Sequence, residues 1–257
     1  MKLTKPGDIK RPRVIELIGP AGAGKSSLLR VLNQSDAKLA AGVCLRDVKY
    51  APAVALNAVS LLPEMISCYR TRLEPDWADM KRIVRLKTWL SLVNRLSSDR
   101  YRAVIFDEGP VFLLTLLGAF SDRYFQSPRF NDWFKRMLDR WSESLDAAIW
   151  LDAPDRVLAQ RIRSREKPHR VKDRSDEEVS DFLAHYRASY ELTVSRLTAR
   201  QGPKLIRLNT SQKSLQETAD EALIEIAALE RSTPMPEDAL RFSEANPRIR
   251  LHNNETI

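Results

Sequence analysis

The segment Gly19-Pro20-Ala21-Gly22-Ala23-Gly24-Lys25-Ser26 has the spacing G-x-x-x-x-G-K-[ST]. The chemistry of a bound polyphosphate accounts for each position. Glycines let successive backbone N–H groups turn inward with no side chain in the way of a phosphate. A helix opening at Lys25 offers unpaired N–H donors and the positive end of its dipole. Lys25 can reach the β- and γ-phosphates, and the Ser26 hydroxyl can join the oxygen shell of Mg²⁺. Residues Gly19 to Ser26, with Ser27 beyond them, are therefore the expected contacts of a nucleoside triphosphate, ATP with Mg²⁺.

A second acidic pattern lies 81 residues after Ser26. Val104-Ile105-Phe106 is an apolar run that ends in Asp107 and Glu108. An acid at such a strand end can face the phosphate loop and orient the metal, which makes Asp107 the second expected Mg²⁺ residue beside Ser26. Glu108 has three open readings: polarising water for hydrolysis, accepting a proton from a substrate hydroxyl, or holding a neighbouring arginine.

Residues 156–174 hold eight basic residues against two acidic ones. Transfer of a phosphoryl group needs its spreading charge neutralised, and arginine does this with a planar, multi-donor head. Arg161 and Arg165 are four apart and would share one face of a helix. Arg163 and Arg170 extend the supply into a loop, so residues 161–174 read as a lid that closes over the nucleotide and excludes water. Two blander readings are a solvated basic loop and a nucleic-acid patch. The segment lacks aromatic residues to stack on bases, which disfavours the second.

The elements that must position these groups follow from apolar patterning. Strands are expected at Val14–Ile18, Gly42–Leu45, Ala103–Phe106, Ala147–Leu151 and Lys204–Leu208. Helices are expected from Ser26 to Gln34 and over 53–73, 77–98, 111–120, 130–145, 154–163, 175–199 and 214–230. Over 77–98 the residues Met80, Ile83, Val84, Leu86, Leu90, Val93 and Leu96 keep a helical period. Ser175-Asp176-Glu177-Glu178 has the form of a capping box. Strands alternating with helices imply a parallel sheet covered on both faces, with ligands at the carboxyl ends of the strands.

The 257 residues suffice for one α/β domain with a sizeable core. Residues 1–12 read as a flexible lead-in, 13–231 as the domain, and 232–257, which include Pro234, Pro236 and Pro247, as a polar tail. There is no apolar run of the roughly 20 residues needed to cross a bilayer, and no apolar secretory signal, so a cytoplasmic location is expected. Cys44 and Cys68 form no C-x-x-C pair and are expected to be reduced thiols. His169, His185 and His252 are too far apart for a metal site.

These motifs resemble the nucleoside and nucleotide kinases of the P-loop class, thymidylate kinase and the deoxynucleoside kinases in particular. The resemblance covers about residues 13–230. It rests on the phosphate loop, on Asp107-Glu108-Gly109, on Trp150-Leu151-Asp152-Ala153-Pro154, on Arg161-Ile162-Arg163-Ser164-Arg165, and on Phe182-Leu183 with Tyr186-Arg187 and Tyr190-Glu191. It implies a P-loop NTPase three-layer sandwich with a central five-stranded parallel sheet. It also implies transfer of the ATP γ-phosphate to a small-molecule acceptor. On matching positions it makes Lys25, Asp107, Arg161 and Arg165 the catalytic set. Related kinases often pair through the helices beside the third strand, so a homodimer is implied as well.

The departures fall on the acceptor side. Thymidylate kinases carry Asp-Arg-Tyr after the third strand, where this chain has Asp107-Glu108-Gly109. Their second strand ends in Thr-Arg-Glu-Pro-Gly, where this chain has Leu45-Arg46-Asp47-Val48. Arg46, Arg82, Arg85 and Glu108 are the expected acceptor contacts. An ATPase acting as an assembly or regulatory module is the alternative, as is a kinase of a non-nucleotide metabolite. A GTP switch is disfavoured because no N-K-x-D motif occurs. Neither a membrane nor a nucleic acid is an expected partner.

Overall fold

The computed structural model of the chain describes residues 11–42, 50–63, 66, 76–93, 101–120, 127–166, 168–199 and 202–231. The sheet has five strands in the order β2-β3-β1-β4-β5. These are β1 (Arg13–Ile18), β2 (Leu39–Ala41), β3 (Ala103–Asp107), β4 (Ala147–Asp152) and β5 (Lys204–Asn209). Every pairing is parallel. The chain leaves β1 toward β2 and β3 on one side and reaches β4 and β5 on the other. A change of direction of this kind opens a crevice at the carboxyl ends of the central strands.

Eight helices flank the sheet among the described residues: α1 (Lys25–Ser35), α2 (Ala51–Val59), α3 (Trp77–Val93), α4 (Pro110–Phe120), α5 (Pro128–Ser144), α6 (Asp155–Arg163), α7 (Asp176–Thr198) and α8 (Leu215–Arg231). Alternate strand residues feed two separate cores. Val14, Ile18, Val104, Phe106, Ala148 and Trp150 pack with α3, α4 and α5. Ile15, Leu17, Ile105, Ile149, Leu151, Ile206 and Leu208 pack with α1, α6 and α8. The helix α7 serves both: Val179 and Leu183 join the second core, while Tyr190, Val194 and Leu197 join the first. The apolar residues of this helix are thus divided between two layers. The result is the three-layer α/β sandwich that the strand and helix order implies.

Most expected elements lie where the patterning puts them. The capping box at α7 forms: the Glu178 backbone N–H donates to Ser175 Oγ at 3.2 Å, and the Ser175 N–H donates to Glu178 Oε2 at 3.0 Å. The second strand is a correction. It spans Leu39–Ala41, in register with Ala103–Ile105, and Gly42 follows it with φ +75°. Pairing with β3 sets that strand, and the apolar run from Val43 lies outside the described residues together with Cys44, Arg46 and Cys68. Within the helix expected over 53–73, α2 begins at Ala51, with Pro52 inside its first turn, and ends at Val59; Leu62, Pro63 and Ile66 are again helical, and 64–65 and 67–73 lie outside the described residues. At the lead-in, Arg11 is fastened to Asp146 at 2.6 Å, beside the Arg13–Asp146 pair at 2.8 Å.

Candidate functional site

The expected phosphate loop, Gly19–Ser26, joins β1 to α1 at the crevice. Gly19 carries φ +132°, and a Cβ there would lie 2.0 Å from the Leu151 carbonyl oxygen, so the loop can enter beside β4 only with glycine at this position. Pro20, Gly22 and Ala23 are buried, and Ala21, Gly24, Lys25 and Ser27 are half-buried. The Lys25 ammonium donates to the carbonyls of Gly19 at 2.7 Å and Pro20 at 3.0 Å, lying across the loop. Burial pushes the Lys25 pKa down to about 8. Asp107 works against that shift, and Arg165 adds to it.

Asp107 ends β3, directly in register with Leu17 of β1. The Ser26 hydroxyl donates to Asp107 Oδ2 at 3.3 Å. Two hard oxygens at the start of α1 and the end of β3 suit a magnesium ion that takes its other ligands from phosphate and water. Among the described residues there is no group of three or more His, Cys, Asp or Glu side chains that could hold a metal ion by themselves. The donor set therefore fits an ion brought in with a nucleotide, and does not form a metal cage of its own.

The two lid arginines part company. The helix α6 ends at Arg163 with Ser164 as its cap, so Arg165 lies beyond it and does not share a helical face with Arg161. Arg161 reaches back into the body. Its guanidinium donates to the Gly22 carbonyl at 3.4 Å, to Thr210 Oγ1 at 2.9 Å and to the Thr210 carbonyl at 2.7 Å. It ties the phosphate loop to the turn after β5. Arg165 is exposed. Arg163 pins the base of the basic loop through Asp176 at 2.6 Å and the Arg174 carbonyl at 3.1 Å. His169 sits in that loop with its ring 5.7 Å from Phe182. Burial, then Arg165, Arg170 and Lys25, hold its imidazole below the usual range.

Of the arginines expected to meet an acceptor, Arg82 and Arg85 lie among the described residues. Arg82 pairs with Asp79 on its own helix. Arg85 donates to the Glu108 backbone carbonyl at 3.5 Å. Glu108 is exposed, with φ +56°.

Three further residues shape the site and escaped sequence reasoning. Arg187 of α7 clamps the end of β4: it meets Asp152 at 2.8 Å, Asp155 at 2.6 Å and the Ala153 carbonyl at 3.0 Å. Thr210, after β5, receives Arg161. Glu16, in the middle of β1, is fully buried. An acid inside an otherwise apolar strand run was the available signal for Glu16. Tyr186-Arg187 is among the residues that carry the family resemblance, but the partners of Arg187 and Thr210 are distant in sequence and their roles have no local signal.

No family model matches the chain, and no curated protein does. Among solved structures, the chain is similar to a deoxyadenosine kinase from M. mycoides with the products dCMP and a flexible dCDP bound. The identity is 12%, over 84% of this chain and 99% of that one, at a TM-score of 0.47. The structure of deoxyadenosine kinase from the same organism with bound dATP matches at 12% identity, over 83% of this chain and 99% of that one, at a TM-score of 0.46. At that identity and those scores the likeness says nothing of this chain's substrate. No described helix is long and apolar enough to cross a membrane.

Proposed function

We propose that the chain is an ATP-dependent phosphotransferase that moves the γ-phosphate of ATP onto a small-molecule acceptor, in the first instance a nucleotide or nucleoside. The observation that supports this best is the convergence at one corner of the crevice. Lys25 lies across a glycine-rich loop, Asp107 stands 3.3 Å from Ser26, and the exposed Arg165 is near enough to help depress the Lys25 pKa.

In this reading Lys25 leaves the Gly19 and Pro20 carbonyls for the β- and γ-phosphates. Mg²⁺, held by Ser26 and Asp107, neutralises phosphate charge when bound. Arg165, on the loop, offers donors to the equatorial oxygens of the transferring group. Arg161 keeps the phosphate loop in place through Gly22. Glu108 and Arg85 face the acceptor and the proton it gives up, with Arg82 and Arg46 as further acceptor contacts.

Product analysis tests the reading. The chain is incubated with ATP, Mg²⁺ and a panel of nucleosides, nucleotides and phosphorylatable metabolites, and ADP is followed. ADP formation that depends on one acceptor class is expected. The exposed Glu108 beside Asp107 favours a second reading, a hydrolytic ATPase module. ADP release indifferent to every acceptor would select that reading over the first.

A further inference from the structure

Glu16 is the most deeply buried carboxyl group among the described residues, with no exposure at all. It stands opposite Phe106 in the β1–β3 register, on the sheet face covered by α3, α4, α5 and α7. The neighbouring strand residues on that face, Val14, Ile18, Val104 and Phe106, are apolar. A carboxyl group carried there without partners would be strongly destabilising.

Its partners are the first N–H groups of α4. The Val111 N–H donates to Glu16 Oε2 at 2.6 Å and the Phe112 N–H donates to Oε1 at 2.9 Å. The first turn of a helix has N–H groups with no partner inside the helix, and its dipole favours an acid there. A side chain from the neighbouring strand thus completes the N-terminus of α4.

The link between β3 and α4 is only Glu108 and Gly109. Within it the chain must turn from the strand into the helix. Glu108 takes the left-handed conformation, and no other non-glycine residue does so among those described. That conformation costs about 1 kcal/mol or more for such a residue and persists only where its surroundings impose it. Gly109 closes on the same carboxyl. A Cβ there would lie 2.9 Å from Glu16 Cδ and 2.5 Å from Phe106 Cβ.

We propose that Glu16 is a positioning residue: by gathering the N–H groups of Val111 and Phe112 and packing against Gly109 it sets the Asp107-Glu108-Gly109 corner, so that Asp107 faces Ser26 and Glu108 is held at the cleft. It acts through the backbone and touches neither nucleotide nor acceptor. The inference rests on reading that corner as part of a phosphotransfer site.

The test compares the unaltered chain with Glu16→Gln and Glu16→Leu. Gln keeps the size and one accepting oxygen, but its amide nitrogen cannot accept. Leu keeps the bulk and accepts nothing. ADP affinity is measured by calorimetry with and without Mg²⁺, on chains shown to be folded by circular dichroism. Hydrogen exchange is followed at residues 109–112. Without Mg²⁺ the three chains are expected to bind ADP alike, since the phosphate loop is untouched. The gain in affinity from Mg²⁺ falls about tenfold or more in Glu16→Leu, as when a residue supporting a metal ligand is lost, and by less in Glu16→Gln. Exchange at Val111 and Phe112 quickens in the same order.

A purely structural Glu16 would lower the melting temperature and leave the Mg²⁺ gain as it was, which overturns the proposal. Should Glu16→Leu fail to fold, Glu16→Gln decides by the same measure. An unaltered chain with no Mg²⁺ gain overturns it too, because Asp107 then has no ion to orient. The phosphotransfer reading stands or falls separately, on acceptor-dependent ADP formation by the unaltered chain. A Mg²⁺ gain that depends on Glu16 in a chain without such turnover supports the positioning role and removes the phosphotransfer reading.

Discussion

The Ser26 hydroxyl donates to Asp107 across the crevice at 3.3 Å, joining the first turn of α1 to the last residue of β3. The pair brings together residues 81 positions apart, and each lies at an end that the parallel β1–β3 pairing fixes. Asp107→Asn keeps a partner for Ser26 and removes the charge. It is expected to leave ADP binding without Mg²⁺ little changed and to lower turnover on the order of 100-fold, the scale of losing one charge-stabilising group. Steady-state kinetics with a Mg²⁺ titration check this. Turnover within a few-fold of the unaltered chain would remove Asp107 from the metal site.

Arg161 and Arg165 should behave differently when removed. Arg165 is exposed beyond the end of α6, so Arg165→Ala should slow phosphoryl transfer by on the order of 10³-fold while ATP affinity stays close to that of the unaltered chain. Arg161 holds the Gly22 carbonyl and Thr210, so Arg161→Ala should weaken ATP binding itself. Single-turnover rates and direct binding separate the two effects. Equal loss of rate and affinity in Arg165→Ala would end its transition-state role.

Glu16 also gives the fold a dependence on pH. Burial pushes its pKa from 4.5 up to about 8, against the backbone N–H groups of Phe112, Val111 and Gly109; Asp107 of β3 adds to the rise. Tyr186 and Tyr190 of α7 and Lys25 of the loop also sense its charge. The folded chain therefore binds this proton more tightly than the unfolded chain does. The stabilisation is complete below about pH 4.5 and is lost as the pH rises to about 8, at about 1.4 kcal/mol per pH unit at most. Lys25, lowered to about 8, acts in a higher window. Urea unfolding of the unaltered chain and Glu16→Gln near pH 5 and near pH 8 is the measurement. The stability advantage of the unaltered chain should shrink toward the higher pH. An advantage that does not change with pH would contradict the burial of an ionisable group there.

How much of this was legible beforehand depends on the range of each signal. The glycine-rich turn between β1 and α1, the Asp107 strand end, the Ser175 capping box and the fourth strand into α6 are written in neighbouring residues, and they stand where the sequence puts them. The relation of Arg161 to Arg165 failed because a four-residue spacing has meaning only while the helix continues, and α6 stops at Arg163. The role of Arg161 was hidden because its partners Gly22 and Thr210 are 139 and 49 residues away. Glu16 was visible as an acid in an apolar strand, but its purpose lay 95 residues on, at Val111. The end of β2 was set by its register with β3 rather than by its own apolar run.

The two rims of the sheet bear on how copies of this chain can meet. At one rim β2 offers three residues, and at the other β5 turns outward Lys204, Arg207 and Asn209, with Lys204 and Arg207 engaged by Glu225 and Glu191. A short strand and a charged one are poor templates for strand addition. Among the described residues, the sheet is therefore guarded at both rims against growing from chain to chain.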